Sequence, residues 1–220
     1  MKLYKALFFG SIGSIVETSD IQRKSFNRAF KQFGLNWHWT RKKYKYLLNN
    51  SGGEDRISRY AKQKKITIDA KKVRNLKTKI FNNYLKEKEL KLRPGVKNLL
   101  NFCIKNKIKV GLVSSTSLNN INSIFYCLRS SIKKNYFNFI GNSKLVKKNK
   151  PSPEIYLYAL KKLKLKSKDC IAIEDSQESL DSAVKAKIKC FIFPGKFHST
   201  KRFYRAYGMV NKLSKKIIKI

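Results

Sequence analysis

The 220-residue sequence is poor in acidic side chains, cysteine, histidine and proline, and it contains no long apolar run. Asp and Glu number 13 against 51 Lys and Arg, which gives a formal net charge of +38. No apolar run approaches the roughly 18 residues that a transmembrane helix needs, so a membrane span is excluded. The apolar stretch near the N-terminus, about four residues long, is also too short for the hydrophobic region of a signal peptide.

The few cysteines and histidines are too far apart in the sequence to indicate a zinc site or a dense disulfide framework. Cys103, Cys127, Cys170 and Cys190 lie far apart and form no CxxC pair, and the chain has only two histidines. This spacing argues against a zinc site and against a dense disulfide framework. A reduced compartment is the simpler interpretation, so the predicted location is the cytoplasm.

The excess of positive charge leaves two interpretations open. A net charge of +38 favours attraction to polyanions such as nucleic acid, without sequence specificity. However, 41 of the 51 basic residues are Lys, and they are spread along the chain together with 18 Asn and 21 Ile. That composition is typical of an AT-biased genome, and it favours a basic surface set by codon usage. Because 42% of residues are hydrophobic, the chain is not a disordered polybasic tail.

Helix and strand patterns predict an α/β fold with a parallel sheet. Short apolar runs predict strands at residues 3–9, 108–113, 137–140, 170–173 and 190–193, and helical spacing predicts helices between the strands that follow residue 91. Alternation of this kind is typical of a Rossmann-like sheet with right-handed crossovers. Residues 16–90 show helical patterns alone, which predicts an all-helical insertion.

Polar side chains gather where the predicted strands end, which is where parallel sheets bind ligands. Four of the 13 acids fall within eight residues, starting at the end of the strand over 170–173. A metal or a local balance of charge would explain such a cluster in so basic a chain. The strand-end residues are Ser11, Ser114, Ser115, Thr116, Lys150, Glu174 and Asp175.

Four short motifs in order along the chain resemble those of the haloacid dehalogenase superfamily. They are Leu92-Arg93-Pro94-Gly95-Val96, Gly111-Leu112-Val113-Ser114-Ser115, Lys150-Pro151-Ser152-Pro153 and Ile173-Glu174-Asp175-Ser176. The chain is most similar to the β-phosphoglucomutase branch, and within it to rubisco-associated phosphatases that act on sugar bisphosphates. The resemblance covers almost the whole chain.

The resemblance implies a domain plan and a set of roles. Residues 1–15 and 91–220 would form the α/β core, and residues 16–90 a helical cap. Ser114, Ser115 and Lys150 would hold phosphate oxygens of a small phosphorylated sugar. Asp175, with Glu174, would face Mg²⁺, a cation that takes oxygen ligands.

The first motif of the family is where this sequence departs from the resemblance. The family places a nucleophilic Asp at the end of the first strand and an acid/base Asp two residues later. Here Gly10 and Ile12 stand at those positions. Mg²⁺ binding would be weakened as well, because the nucleophile is also a metal ligand in the family. The expected protein is therefore a relative of sugar-phosphate phosphatases with impaired or lost catalysis.

Two alternative functions stay open from the sequence. One is an active phosphatase or phosphoglucomutase-like enzyme on small phosphorylated sugars, in which a substitute group, with Ser11 as the candidate, replaces the nucleophile. The other is a nucleic-acid-binding or scaffold protein that uses the basic surface of the fold. The sequence does not indicate an oligomeric state.

The helical insertion contains one further candidate for substrate binding. The segment Leu47-Leu48-Asn49-Asn50-Ser51-Gly52-Gly53-Glu54-Asp55-Arg56-Ile57 resembles the substrate-recognition loop of the family's cap domain. Arg56 would bind a distal phosphate, since a guanidinium group suits phosphate oxygens. A surface ion pair of Arg56 after a flexible Gly-Gly turn is the alternative.

Overall fold

The computed structural model describes residues 3–48, 52–87, 90–198 and 202–219. Within these residues six strands form one parallel sheet, in the order β3-β2-β1-β4-β5-β6. The strands are β1 (Ala6–Phe9), β2 (Lys109–Val113), β3 (Phe139–Gly141), β4 (Cys170–Glu174), β5 (Lys189–Ile192) and β6 (Gly208–Met209). The predicted α/β fold with a parallel sheet is thus confirmed.

The described residues also include eight α-helices. They are α1 (Ser19–Gln32), α2 (Arg41–Leu47), α3 (Gly53–Gln63), α4 (Ala70–Lys86), α5 (Val96–Lys105), α6 (Leu118–Cys127), α7 (Glu154–Leu163) and α8 (Gln177–Lys185). None of the described helices is long and apolar enough to cross a membrane. The contacts divide the chain into two compact units, Met1–Glu17 with Leu90–Ile220 and Thr18–Glu89.

The α/β unit is built around the central strands of the sheet. Every residue of β1 and of β4 is buried, because helices cover the sheet and leave these strands no solvent-facing side. This burial explains why both strands read as continuous apolar runs rather than as alternating patterns. An antiparallel bridge between Val16 and Leu92 attaches the segment after β1 to the chain that enters α5.

The helical unit has an aromatic core. Trp39 is fully buried, and its indole lies 4.6 Å from the ring of Phe30 and 4.8 Å from that of Phe26, measured between centroids. Tyr60 contacts Trp39 from α3 with perpendicular rings. Because aromatic rings bury large apolar areas, a few of them suffice for the core of this small unit.

The structure differs from the sequence prediction mainly at the edges of the sheet. Residues 3–9 were predicted as one strand, but β1 starts at Ala6, and Leu3 instead forms an antiparallel bridge with Lys219. Strand β6 was not predicted. It has only two residues, one of them a glycine, so no apolar run marks it.

Candidate functional site

The predicted site residues lie at the carboxyl ends of three neighbouring strands, on one side of the sheet. In the register of the sheet, Phe9 of β1 lies beside Leu112 of β2 and beside Ile173 of β4. Gly10 and Glu174 each come directly after these paired positions. Parallel strands end at the same edge, so the chain segments that carry the candidate residues meet there.

Lys150, Tyr156 and Glu174 form a buried hydrogen-bonded cluster at this edge. The Lys150 ammonium donates to Glu174 Oε1 at 2.5 Å, and the Tyr156 hydroxyl donates to the same oxygen at 2.7 Å. The ammonium also donates to the carbonyl oxygen of Gly10. Helix α7 supplies Tyr156 two residues after its start, whereas Lys150 comes from the preceding loop. We call Lys150, Tyr156 and Glu174 the β4-end cluster.

Burial dominates the electrostatics of this cluster. Glu174 and Tyr156 are fully buried. Burial raises the pKa of the Glu174 carboxyl, while the Lys150 ammonium beside it acts in the opposite direction. Burial, followed by the charge of Glu174, raises the pKa of the Tyr156 hydroxyl well above its ordinary value. Tyr156 therefore stays protonated and remains a hydrogen-bond donor.

The cluster occupies the space that a side chain at position 10 would need. A Cβ atom built on Gly10 would lie 1.8 Å from Glu174 Oε1 and 2.3 Å from the Tyr156 hydroxyl oxygen. Both distances are far below van der Waals contact, so glycine is the residue compatible with this arrangement. A larger residue at position 10 would therefore require the ends of the Glu174 and Tyr156 side chains to move.

The residues after Gly10 form a tight turn without a carboxylate. Ile12 begins a short 3₁₀ turn, and its carbonyl oxygen accepts the N–H groups of Ile15 and Val16, both at 2.9 Å. The Ser11 hydroxyl oxygen, which was the candidate substitute nucleophile, accepts the N–H of Ser14 at 3.2 Å. Ser11 thus serves as the N-cap of this turn.

The serines after β2 differ in their hydrogen bonding. Ser114 is buried, and its hydroxyl oxygen accepts the N–H of Thr116 at 3.1 Å. The Ser115 Oγ atom is also buried, but among the described residues it has no hydrogen-bond partner. An unpartnered buried hydroxyl costs free energy unless a ligand or water satisfies it. Ser114 uses its oxygen only as an acceptor, so the O–H groups of both serines can donate to a ligand oxygen, and that of Ser115 belongs to a hydroxyl with no partner among the described residues.

The Asp175 carboxylate lies beside two glycines. A Cβ atom on Gly13 would lie 1.8 Å from Asp175 Oδ2, and one on Gly195 would lie 3.9 Å from the same oxygen. Gly13 therefore leaves room for the carboxylate. Glu174 and Asp175 are adjacent in sequence, yet their carboxylates face different surroundings.

Arg93 is a residue of this region to which sequence reasoning gave no role of its own, although it belongs to the motif over residues 92–96. Its guanidinium donates to the carbonyl oxygens of Gly13, Phe193 and Pro194, each at 2.7 Å. The group also lies 3.4 Å from the centroid of the Phe193 ring. Burial lowers the pKa of Arg93, and the charges of Asp175 and Glu17 oppose that shift. Arg93 thereby ties the loop after β1 to the loop after β5.

The carboxylates at the ends of these strands give little support for Mg²⁺ binding. Glu174 Oε1 already accepts two hydrogen bonds, one of them from an ammonium group that would repel a cation. Glu174 Oε2 is buried and has no hydrogen-bond partner among the described residues, and Asp175 Oδ2 occupies the space next to Gly13. No group of three His, Cys, Asp or Glu able to hold a metal occurs in the part of the chain that the structure describes. Mg²⁺ binding proteins offer it at least one or two accessible carboxylates.

Arg56 belongs to the helical unit, on α3. It is buried, its Nε donates to the carbonyl oxygen of Leu47 at 2.9 Å, and its guanidinium lies 5.7 Å from the centroid of the Tyr44 ring. Arg56 is therefore not a surface residue, and its role in substrate binding stays a prediction. Asn49, Asn50 and Ser51 of the predicted recognition loop lie outside the described residues.

Comparison with known proteins finds relatives that match most of this chain. A family model described as haloacid dehalogenase-like hydrolase matches residues 13–193, a match that begins beyond Gly10 and Ile12. Protein CbbY of Cereibacter sphaeroides is 28% identical over 215 residues, which cover 96% of this chain and 94% of that protein. A CBBY-like protein of Arabidopsis thaliana is 30% identical over 216 residues, covering 93% of this chain and 67% of that protein.

Solved structures of CbbY from Rhodobacter sphaeroides are also similar to this chain. One is a complex with phosphate, and another is a complex of an aspartate-to-asparagine variant with xylulose-(1,5)bisphosphate. Each has a TM-score of 0.88 at 28% identity and covers 96% of this chain and 95% of the other. A β-phosphoglucomutase from Clostridium difficile, at 22% identity and a TM-score of 0.76, shares the fold.

Proposed function

Because the chain belongs to the haloacid dehalogenase-like hydrolase family, we propose that it binds a small phosphorylated sugar without hydrolysing it. The observation that carries this proposal is the packing at Gly10, whose Cβ position is filled by Glu174 and Tyr156. An aspartyl-phosphate intermediate needs a carboxylate at that position, and neither Gly10 nor Ile12 carries one. The relatives named CbbY supply the ligand class, since one was crystallised with xylulose-(1,5)bisphosphate.

The size of the catalytic loss supports binding without turnover. Removing the nucleophile of a well-studied hydrolase costs about 10⁶ in rate, or roughly 8 kcal/mol of transition-state stabilisation. Loss of the general acid typically costs about 10²–10⁴ by itself, although the two effects do not simply add. A substitute nucleophile would need an adjacent base to offset this loss. The Ser11 hydroxyl oxygen instead accepts the N–H of Ser14 and so caps the short turn that contains Ser14.

The donors that remain can hold a phosphate group. An ammonium group has three N–H donors, and the hydrogen bonds to Glu174 and Gly10 use two of those of Lys150. The buried Ser115 hydroxyl provides a second donor. Charge-assisted hydrogen bonds of this type are the stronger ones in protein–phosphate contacts.

Charge at the site predicts that this binding needs no Mg²⁺. Aspartates at positions 10 and 12 would repel a phosphate group, and a bound cation would have to offset that repulsion. Gly10 and Ile12 remove both negative charges, while Lys150 neutralises Glu174. We therefore expect the affinity for a sugar bisphosphate to be the same with Mg²⁺ and with a chelator.

The decisive experiment measures binding and turnover on the same protein. Calorimetry with xylulose-1,5-bisphosphate should show binding, and phosphate release should be absent with or without Mg²⁺. Lys150→Met should abolish binding, whereas Lys148→Met, an exposed neighbour in the same loop, should leave it unchanged. Turnover by the natural chain above about 1 s⁻¹, an ordinary enzyme rate, would refute the loss of catalysis.

A revertant series tests the role of Gly10 directly. Gly10→Asp with Ile12→Asp restores both carboxylates, but the new side chain at position 10 collides with Glu174 and Tyr156. Adding Tyr156→Phe removes the hydroxyl oxygen from that space. We expect Mg²⁺-dependent phosphate release to be higher in the triple variant than in the double variant. Measurable phosphate release at the same rate in the natural chain and in both variants would contradict the proposal.

A further inference from the structure

The C-terminal part of the chain concentrates positive charge. After Asp181 the sequence contains 39 residues, with 11 Lys and Arg and no Asp or Glu. This segment includes β5 and β6, and β6 is the last strand of the sheet in the order of the six. Two of these basic residues, Lys189 and Arg205, lie on β5 and just before β6, and among the described residues no further strand pairs with β6.

Exposed aromatic and apolar side chains lie beside these charges. Tyr204 is 70% exposed, Tyr207 56% and Met209 63%. The Tyr207 ring packs at right angles to that of Phe191, with 5.2 Å between centroids. We call this region the β6 edge surface, and its residues are Lys189, Phe191, Tyr204, Arg205, Tyr207 and Met209.

The exposed rings are presented from an anchored backbone. The N–H of Tyr204 donates to Gln177 Oε1 at 3.0 Å, and its carbonyl oxygen accepts Gln177 Nε2 at 3.3 Å, so helix α8 holds this residue from both sides of the backbone. Arg205 pairs with Asp181 of the same helix at 3.0 Å. The backbone is thus ordered at the point where the Tyr204 side chain extends into solvent.

Cations accompany the aromatic rings. The Lys189 ammonium lies 4.6 Å from the centroid of the Tyr207 ring. Its neighbour on β5, Phe191, covers Gly208, where a Cβ atom would lie 2.7 Å from the Phe191 ring. Aromatic faces combined with Lys and Arg are the groups that bind unpaired bases and the phosphates between them.

We propose that the β6 edge surface binds single-stranded nucleic acid. Bases stack on Tyr204 and Tyr207, and the basic residues around them contact the phosphates. A duplex keeps its bases stacked on one another, so exposed tyrosine rings favour a single strand. Net charge alone attracts any polyanion, and the two rings add the local preference that charge cannot supply. This inference is independent of the phosphate site at the end of β4.

The test compares variants that leave the charge of the protein unchanged. Binding of a fluorescent single strand of about twelve uridines is followed by anisotropy at about 0.2 M salt, where non-specific attraction is weakened. The double variant Tyr204→Ala/Tyr207→Ala should bind about tenfold or more weakly. The slope of log binding constant against log salt concentration should stay the same, because the contacts with phosphates remain.

Tyr126 provides a matched control. It is 60% exposed and has the Arg129 guanidinium 4.1 Å from its ring centroid. Tyr126 thus combines an exposed ring with a nearby cation, but it lies outside the β6 edge surface. Tyr126→Ala should bind the strand as the natural chain does. Because Tyr207 packs on Phe191, Tyr204→Ala is also measured alone, and an unchanged far-ultraviolet circular dichroism spectrum verifies that each variant is folded.

Three results would overturn the proposal. The first is an equal loss of affinity in Tyr126→Ala and in the Tyr204 variants, which would indicate diffuse attraction. The second is equal affinity for the single strand and for a duplex of the same length. The third is binding to phosphatidylserine vesicles with the same dependence on Tyr204, which would assign the surface to membranes instead.

Discussion

Replacing Lys77 with methionine should make the protein more stable and should change how its stability depends on pH. Lys77 lies on α4 with only 7% of its surface exposed. Its ammonium donates to Gln22 Oε1 and lies 4.9 Å and 5.1 Å from the ring centroids of Phe26 and Phe81. Burial lowers the pKa of this group from 10.5 to about 7, and the positive charges of Arg56 and Arg74 add to the shift.

The expected magnitude follows from the difference in pKa between the folded and unfolded chain. A drop from 10.5 to about 7 corresponds to about 5 kcal/mol of cost for the charged form on folding. Between these two values the unfolded chain binds more protons than the folded one, so stability rises with pH. The gain from pH 7 to pH 9 should be about 2 kcal/mol, whereas below pH 7 the full cost applies.

Urea unfolding at pH 7 and at pH 9 measures this effect. Lys77→Met should be more stable than the natural chain by about 2–3 kcal/mol at pH 7, after allowing for the lost bond to Gln22, and this advantage should shrink by about 2 kcal/mol at pH 9. Lys79→Met removes an exposed charge from the same helix and serves as the control for overall charge. If both variants show the same pH dependence as the natural chain, the reasoning about Lys77 is wrong.

Two further predictions concern packing at the end of the sheet. Gly10→Ala should destabilise the protein by about 1–3 kcal/mol, because its methyl group collides with Glu174 and Tyr156. In urea unfolding the cost should be smaller when Tyr156→Phe is also present, and strictly additive effects would argue against the collision. Arg93→Lys should cost about 1–3 kcal/mol, because an ammonium cannot reach all three carbonyl oxygens that the guanidinium bonds. Hydrogen exchange should rise in the loops after β1 and β5, and unchanged exchange there would contradict the role of Arg93.

The parallel sheet and the family could be predicted because they depend on local patterns. Apolar runs mark β1, β2 and β4 since strands buried on both faces exclude polar residues. The order of the Ser-Ser, Lys-Pro and Glu-Asp motifs then identified the haloacid dehalogenase-like family, which the match over residues 13–193 confirms. The two-residue strand β6 escaped prediction because nothing in so short a segment distinguishes it from a loop.

The candidate site shows where sequence reasoning ends. Sequence reasoning grouped Glu174 with Asp175 because they are adjacent, and only the structure places the first carboxylate against Lys150 and the second beside Gly13. Tyr156 and Arg93 contribute through contacts with residues far away along the chain, and no local pattern encodes such contacts.

By itself the sequence determined that positions 10 and 12 hold glycine and isoleucine and therefore carry no carboxylate. Only the tertiary structure decided what stands in their place. Three segments distant in sequence meet at Gly10, and the glycine's missing side chain leaves room for the carboxylate of Glu174 and the hydroxyl of Tyr156. The sequence states which side chains are present, whereas close packing decides which of them fit together at one place in the fold.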